Sequence, residues 1–263
     1  MVFGANYTVP KMIKDTVDKY PEVYAQYKRL PNNEFEPITY RDMFQYGMDF
    51  GAALISIGVK KEDKIGLISD NRAEWQQADI GIMAIGAIDV PRGCDATIID
   101  LEKILSITEA QIVIAENNSQ VRKILSLKDK LPALKTFICF ENDVKPETAD
   151  LAKEKNVEII YFSEMLKIGQ KWRIENKGKV EELMEEGKAD DVVTIIFTSG
   201  TTGDPKGVVL THNNFLAQLD ELPERIFVNP GDKALSVLPI WHVFEREVEY
   251  VIMIQAGTIC YSK

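Results

Sequence analysis

Short runs rich in isoleucine and valine alternate with longer stretches of helical spacing through most of this chain, which restricts the fold more than any other feature. Residues 65–69, 88–91, 112–115, 136–140, 157–162 and 192–197 read as strands. Residues 71–86, 97–108 and 119–127 read as helices; in the second, Ile98, Leu101, Ile104 and Leu105 fall on one helical face. Asp70 or Asn71 is placed to cap the first helix, with Glu74 in its first turn. Apolar strands separated by helices predict a parallel sheet buried on both faces. The expected class is α/β, a layered, mostly parallel, doubly wound sheet with helices on both faces. The stretch 167–190 is strongly charged, contains Gly178 and Gly187, and reads as a solvated helix and connection without a binding role.

The composition suits a soluble globular protein: 263 residues, 45% hydrophobic and 27% charged. That length makes one large domain or two ordinary ones. Forty-one acidic against 31 basic residues leave a net charge of −10, which argues against a general nucleic-acid binder. Cys94, Cys139 and Cys260 are far apart and form no CxxC pair, so neither a disulfide framework nor a cysteine zinc site is expected. A reducing cytoplasm is the expected location. The apolar run 80–88, between Asp79 and Asp89, is about half of the ~20 residues a membrane span needs. The first ten residues lack the basic flank and apolar run of a secretory signal. Glycosylation patterns at Asn6 and Asn117 therefore read as chance.

The chemistry is concentrated in one loop. After the strand ending at Phe197 come Thr198, Ser199, Gly200, Thr201, Thr202 and Gly203, then Asp204, Pro205, Lys206 and Gly207. Glycines let the main chain approach a ligand closely. Their amides and the four hydroxyls form a cradle of donors suited to phosphate oxygens, and Lys206 adds a positive charge. A loop at the carboxyl end of a parallel strand is where open α/β sheets place ligands. It is not a Walker A loop, because Pro205 stands where that pattern needs glycine, and no Gly-x-Gly-x-x-Gly occurs.

The segment from Thr198 to Gly207 resembles the AMP-binding signature of the adenylate-forming enzymes, which include acyl-CoA synthetases, luciferases and peptide-synthetase adenylation domains. Three further segments resemble those of long-chain fatty acyl-CoA synthetases: Ser69 through Asn71, Arg72 and Glu74 to Trp75; Gly86 through Pro91, Arg92 and Gly93 with Asp95 and Thr97; and Leu238 through Pro239, Trp241 and His242 to Arg246. The resemblance runs from about Thr39 to the end. It implies a reaction in two steps: a fatty acid carboxylate attacks the α-phosphate of Mg-ATP, then the thiol of coenzyme A displaces AMP. Phosphoryl chemistry of this kind is mostly positioning and charge stabilisation. By this resemblance Thr198, Ser199, Gly200, Thr201, Thr202, Gly203 and Lys206 bind the ATP phosphates, and Thr201 also stands near Mg²⁺. Trp241 shapes the acyl entry, and His242 lines the junction of the acyl and nucleotide pockets. Lys206, Thr201 and His242 are the expected catalytic residues.

Other residues invite plainer readings. His212, at the start of the helix after the loop, reads as structural, and Trp75 and Phe44 as core. Arg72 with Glu74 reads as an ion pair; Glu245 and Arg246 fit either an ion pair or a site element.

The resemblance also implies that 1–60 belongs to a second, incomplete subdomain similar to the first. Residues 61–212 form the α/β subdomain that ends in the phosphate loop, and 213–263 begin the rest of the second. A Tyr-Gly-x-Thr-Glu motif, the ribose-binding aspartate and the adenylation lysine of such enzymes do not occur, so the chain reads as the N-terminal part of a synthetase, inactive alone. The loop is expected to be mobile without ligand. Apolar surface over 248–259 is expected to be uncovered and to favour self-association. Fatty acids partition into bilayers, so peripheral membrane contact fits the resemblance, although no basic amphipathic helix supports it. An adenylate former acting on an aromatic or amino acid, or a binding domain that keeps an ancestral loop, are the alternatives.

Overall fold

The computed structural model describes residues 4–30, 32–198 and 205–262. The chain opens with helix α1 (Val9–Lys19), strands β1 (Tyr24–Arg29) and β2 (Phe35–Thr39), and helix α2 (Tyr40–Ser56). Strand and helix then alternate: β3 (Lys64–Ile68), α3 (Ala73–Ala84), β4 (Ile88–Arg92), α4 (Ile98–Ile107), β5 (Ile112–Ala115), α5 (Asn118–Leu125), β6 (Thr136–Cys139), α6 (Pro146–Glu154) and β7 (Glu158–Tyr161). Two helices, α7 (Phe162–Glu175) and α8 (Lys179–Glu186), lead to β8 (Val192–Thr198) and β9 (Lys206–Thr211). The last elements are α9 (His212–Glu221), β10 (Lys233–Leu235), α10 (Val243–Ile254) and β11 (Thr258–Cys260).

Seven strands form one sheet in the order β7-β6-β5-β3-β4-β8-β9, parallel except for β9. The pleat sends successive side chains to opposite faces. Ile65 and Leu67 of β3 and Ile114 of β5 join a core that also holds residues of α1, α2, α3, α7 and α8. Ile68, Val113, Ala115, Phe137 and Cys139 point into a second core, beneath α4, α5 and α6. Each strand therefore carries apolar residues at consecutive positions, and helices cover both faces, the doubly wound arrangement expected.

Local signals explain the helix starts. Thr97 accepts the Asp100 N–H while Asp100 accepts the Thr97 N–H, a reciprocal cap on α4. Asn117 caps α5 by accepting from Ser119 and Gln120. For α3 the expectation is corrected: its cap position is Arg72, without a side-chain cap, and Asp70 and Asn71 are bonded elsewhere.

A second, four-stranded sheet has the order β10-β11-β1-β2. Here β1, near the start of the chain, runs parallel to β11, with Gln26 opposite Ile259 and Tyr27 opposite Cys260. β2 is antiparallel to β1.

Three expectations change. Residues 206–211 form strand β9, antiparallel to β8, where no strand was foreseen. The charged stretch 167–190 is not simply a solvated face: Gly169, Val180 and Met184 are buried, and α7 packs on α2. Residues 248–259 are largely buried rather than uncovered, because α10 packs against α1, α9 and β11. The exposed apolar side chains nearby are Leu235, Val237, Leu238 and Phe244. No helix among the described residues is long and apolar enough to cross a membrane.

Candidate functional site

The carboxyl ends of β3, β4 and β8 lie side by side, and the sequence motifs leave the sheet there. Asn71, just after β3, ties the β3 loop to the segment before α10. Its amide nitrogen donates to Ser236 Oγ and Leu238 O, both at 2.6 Å, and its Oδ1 accepts from Ile240 N–H at 3.0 Å. Asp70 accepts from Cys94 N–H at 3.1 Å, which ties the β3 loop to the β4 loop. A cavity of about 350 Å³ opens between them, lined in part by Asp70, Asn71, Asp95, Ser236 and Trp241.

Trp241 lies against Gly93 so closely that a Cβ there would stand 2.2 Å from the indole Nε1. Only glycine leaves that space. The Arg92 guanidinium sits over the indole, 4.9 Å from its centroid. His242 caps α10: its Nδ1 accepts the Phe244 N–H at 3.3 Å. The ring is exposed, and with Nδ1 engaged its Nε2 is the nitrogen left to meet a ligand. His242 and Trp241 are in edge contact, centroids 6.4 Å apart.

At the far side of β4, Thr198 ends β8 and pairs with Lys206, the first residue of β9. Both are exposed, as a ligand would require. Ser199, Gly200, Thr201, Thr202 and Gly203, and the expected mobility of their loop, lie outside the described residues. So does the Mg²⁺ expectation, which rests on Thr201.

Asp70, Cys94 and Glu116 each place a ligand atom within 4.8 Å of the others. They do not fit Mg²⁺. Burial and the nearby Glu116 and Asp70 carboxylates push the Cys94 thiol up to about 12, so it stays protonated, and hard cations take oxygen ligands. Glu116 is already engaged by Ser69 Oγ–H at 3.1 Å and Asp70 N–H at 2.8 Å.

Beneath this surface lies a buried polar network that sequence reasoning missed. Arg246 does not pair with Glu245. Its guanidinium, fully buried, binds Asp79 of α3 and Asp89 of β4, the latter at 2.8 Å. Tyr250 donates to Asp79 at 2.5 Å, and Thr194 of β8 donates to Asp89 at 2.8 Å. Burial, helped by the neighbouring Asp89 carboxylate, raises Asp79 above the ordinary carboxylate range even though Arg246 pulls it down. Glu245 instead accepts from Val237 N–H at 3.1 Å. One turn on, Glu249 accepts from Gln76, Ser236 and Tyr261 at 2.7 to 2.8 Å, and burial raises it to about 7. The available signal was the spacing: Asp79 sits inside an apolar helical run and Asp89 inside an apolar strand.

The plainer readings fare differently. Arg72 pairs with Glu74 at 3.0 Å, and Lys28 joins them. Burial opposes ionisation of Glu74, yet Arg72 and Lys28 hold it down at about 2. Trp75 and Phe44 are buried. His212 is buried and accepts Val9 N–H at Nδ1; burial lowers it to about 3, so it is neutral.

A family model described as AMP-binding enzyme matches residues 13–263. A "Probable acyl-activating enzyme 16, chloroplastic" of Arabidopsis thaliana is 34% identical over 93% of this chain and 34% of its own length. A "Long-chain-fatty-acid--[acyl-carrier-protein] ligase AEE15, chloroplastic" of the same plant is 31% identical over 93% of this chain and 33% of its own length. The chain thus spans about a third of the curated relatives it matches. A Mycobacterium tuberculosis fatty acyl CoA synthetase has a similar fold, with TM-score 0.73 and 21% identity, over 97% of this chain and 44% of that one.

Proposed function

This chain belongs to the AMP-binding enzyme family, and from that premise we propose that it forms the N-terminal part of an ATP-dependent, AMP-forming ligase. The ligase activates a long-chain fatty acid as acyl-adenylate and transfers it to the thiol of coenzyme A. The observation that carries this reading is the pairing of Thr198 with Lys206 at the carboxyl end of β8, to which Arg92 links the Trp241 indole by way of Phe197 O. In this reading Lys206 and Thr198, with Ser199, Gly200, Thr201, Thr202 and Gly203, hold the ATP phosphates. The Lys206 charge offsets the negative charge that grows on the leaving pyrophosphate. His242 presents Nε2 where carboxylate and α-phosphate meet, and Trp241 bounds the acyl end. ATP would be taken as its Mg²⁺ complex, whose cation would neutralise part of the phosphate charge.

The acceptor has a second reading. A relative that is 31% identical is named for ligation to acyl-carrier-protein, which favours a carrier-bound thiol in place of coenzyme A. The division into 1–60, 61–212 and 213–263, a cytoplasmic setting with peripheral membrane contact, and self-association remain parts of the proposal.

ATP binding to the purified chain tests the loop. Lys206→Ala should weaken binding by about tenfold while leaving the melting temperature unchanged, since Lys206 is exposed. Equal affinity in both would remove Lys206 from the reading. The chain alone should make no palmitoyl thioester, because contacts to the rest of the nucleotide position the reacting phosphate. Turnover matching a full-length fatty acyl-CoA synthetase would overturn that expectation.

A further inference from the structure

We propose that Arg92 is a phosphate-binding residue, held ready by Trp241 for the polyphosphate of the nucleotide. The identity of the anion rests on the function proposed above. Arg92 ends β4, and its carbonyl accepts Ser69 N–H at 3.0 Å, so its main chain is fixed. Its guanidinium spans the gap to β8, with Nη1 3.5 Å from Phe197 O.

Three other inward-reaching arginines have carboxylate partners. Arg72 has Glu74 and Glu141, Arg173 has Asp49 and Glu181, and Arg246 has Asp79 and Asp89. Arg92 is half-buried too, yet among the described residues no carboxylate lies at ion-pair distance and its buried Nε has no hydrogen-bond partner. Holding a desolvated cation without an anion is costly. The indole of Trp241 offsets part of that cost through its π face. That ring is itself pinned against Gly93. The arrangement is a preorganised guanidinium with its anion yet to arrive.

The surroundings select phosphate. Parallel strands gather anionic ligands beyond their carboxyl ends, and Arg92 stands at that edge between β3 and β8. Phe197, which the guanidinium reaches, is one position before Thr198, and Thr198 is paired with Lys206. Two cations therefore flank the ends of adjacent strands. A guanidinium adds paired hydrogen bonds to phosphate oxygens that an ammonium cannot match. On the other hand, Asp70 and Asp95 line the cavity that Trp241 faces and repel an anion there. This directs the anion to the β8–β9 side of Arg92.

Calorimetry with inorganic pyrophosphate tests the assignment on the purified chain, with tryptophan fluorescence as a second readout, because Trp241 loses or keeps its cation. Arg92→Gln should weaken pyrophosphate binding at least about tenfold, with Arg92→Lys in between. Arg92→Gln should also abolish the fluorescence change on binding. Wild-type affinity in both variants would overturn the proposal, as would no pyrophosphate binding by the wild type. Weaker laurate binding in Arg92→Gln with pyrophosphate unaffected would assign the residue to a carboxylate and overturn it too. If Arg92→Gln fails to fold, Arg92→Lys decides alone: undiminished affinity without any fluorescence difference overturns the proposal. The broader function is read separately: ATP binding sensitive to Lys206→Ala but not to Arg92→Gln sinks only the Arg92 assignment. Pyrophosphate binding that needs Arg92, beside a chain indifferent to ATP, sinks only the adenylate-forming reading.

Discussion

Arg246 shows how one residue can decide whether a core is tolerable. Two carboxylates, Asp79 and Asp89, are completely buried, and its guanidinium lies against both. Arg246→Met should destabilise the chain by about 3–5 kcal/mol, because it leaves two buried acids facing each other. Urea denaturation at neutral pH measures this, and the loss should shrink in acid, where the carboxylates take up protons. A loss under about 1 kcal/mol would mean that the acids are solvated after all. Glu249 carries a different pH signature. Its folded value, about 7, lies above the ~4.3 of an unfolded glutamate. The native state then binds more protons than the unfolded one between those values. Its contribution is complete below about pH 4.3 and is lost as pH rises through about 7. Glu247, raised by burial to about 8, acts in the same direction. Glu74, held at about 2, works oppositely: its contribution is present above about pH 4.3 and lost as pH falls toward 2. Glu249→Gln should therefore flatten the decline in stability between pH 5 and 8 by about 2 kcal/mol, leaving the Glu247 part. An unchanged pH profile would show that Glu249 titrates normally.

Among the elements, the contact between α2 and α7 is tightest at one point. A Cβ at Gly169 would stand 1.6 Å from the carbonyl oxygen of Asp49, so the two helix backbones touch there. Close approach of this kind admits only glycine. Gly169→Ala should cost at least about 3 kcal/mol, since main chain rather than a flexible side chain must give way. Thermal unfolding checks it, and a change under about 1 kcal/mol would show that the helices slide apart freely. Arg173 braces the same contact, bonded to Asp49 at 2.5 Å and to Glu181 at 2.7 Å. Charge density over 167–190 reads as solvent exposure in the sequence, yet Arg173, Glu181 and Glu185 bond to other elements. The β8–β9 hairpin was equally hidden. Its strand 206–211 begins inside the signature motif, and motif residues mask the period-2 pattern by which strands are recognised.

At the scale of the whole molecule, the two ends of the described chain are tied together. β1 pairs with β11, and Tyr40 at the start of α2 donates to the carbonyl of Gly257 at 2.6 Å. Gln26 of β1 reaches Ala73 O, and Gln77 of α3 reaches Gln26, which links the small sheet to a helix of the large one. Arg246 and Glu249 of α10 add further bonds into α3 and β4. The two sheets should therefore unfold together. Far-ultraviolet dichroism and tryptophan fluorescence should give one coincident urea transition. Two separated transitions would show that the sheets are independent units.

The sequence by itself determined the large parallel sheet and its helices on both faces, and singled out the loop proposed to bind phosphate. Apolar runs of strand length and the spacing of helical faces are local properties, and a long motif is read without knowing the fold. What only the tertiary structure decided is which residues meet. Asp79, Asp89 and Arg246 are up to 167 positions apart, and although the apolar runs around the two acids hint at burial, nothing local names Arg246 as their partner. Arg92 and Trp241 occupy separate motifs and come together only where the β4 loop lies beneath the segment before α10. The physical reason is that burial and pairing depend on long-range packing. The free energy of a charged side chain is set by the partners that the fold brings to it, not by its neighbours in the chain.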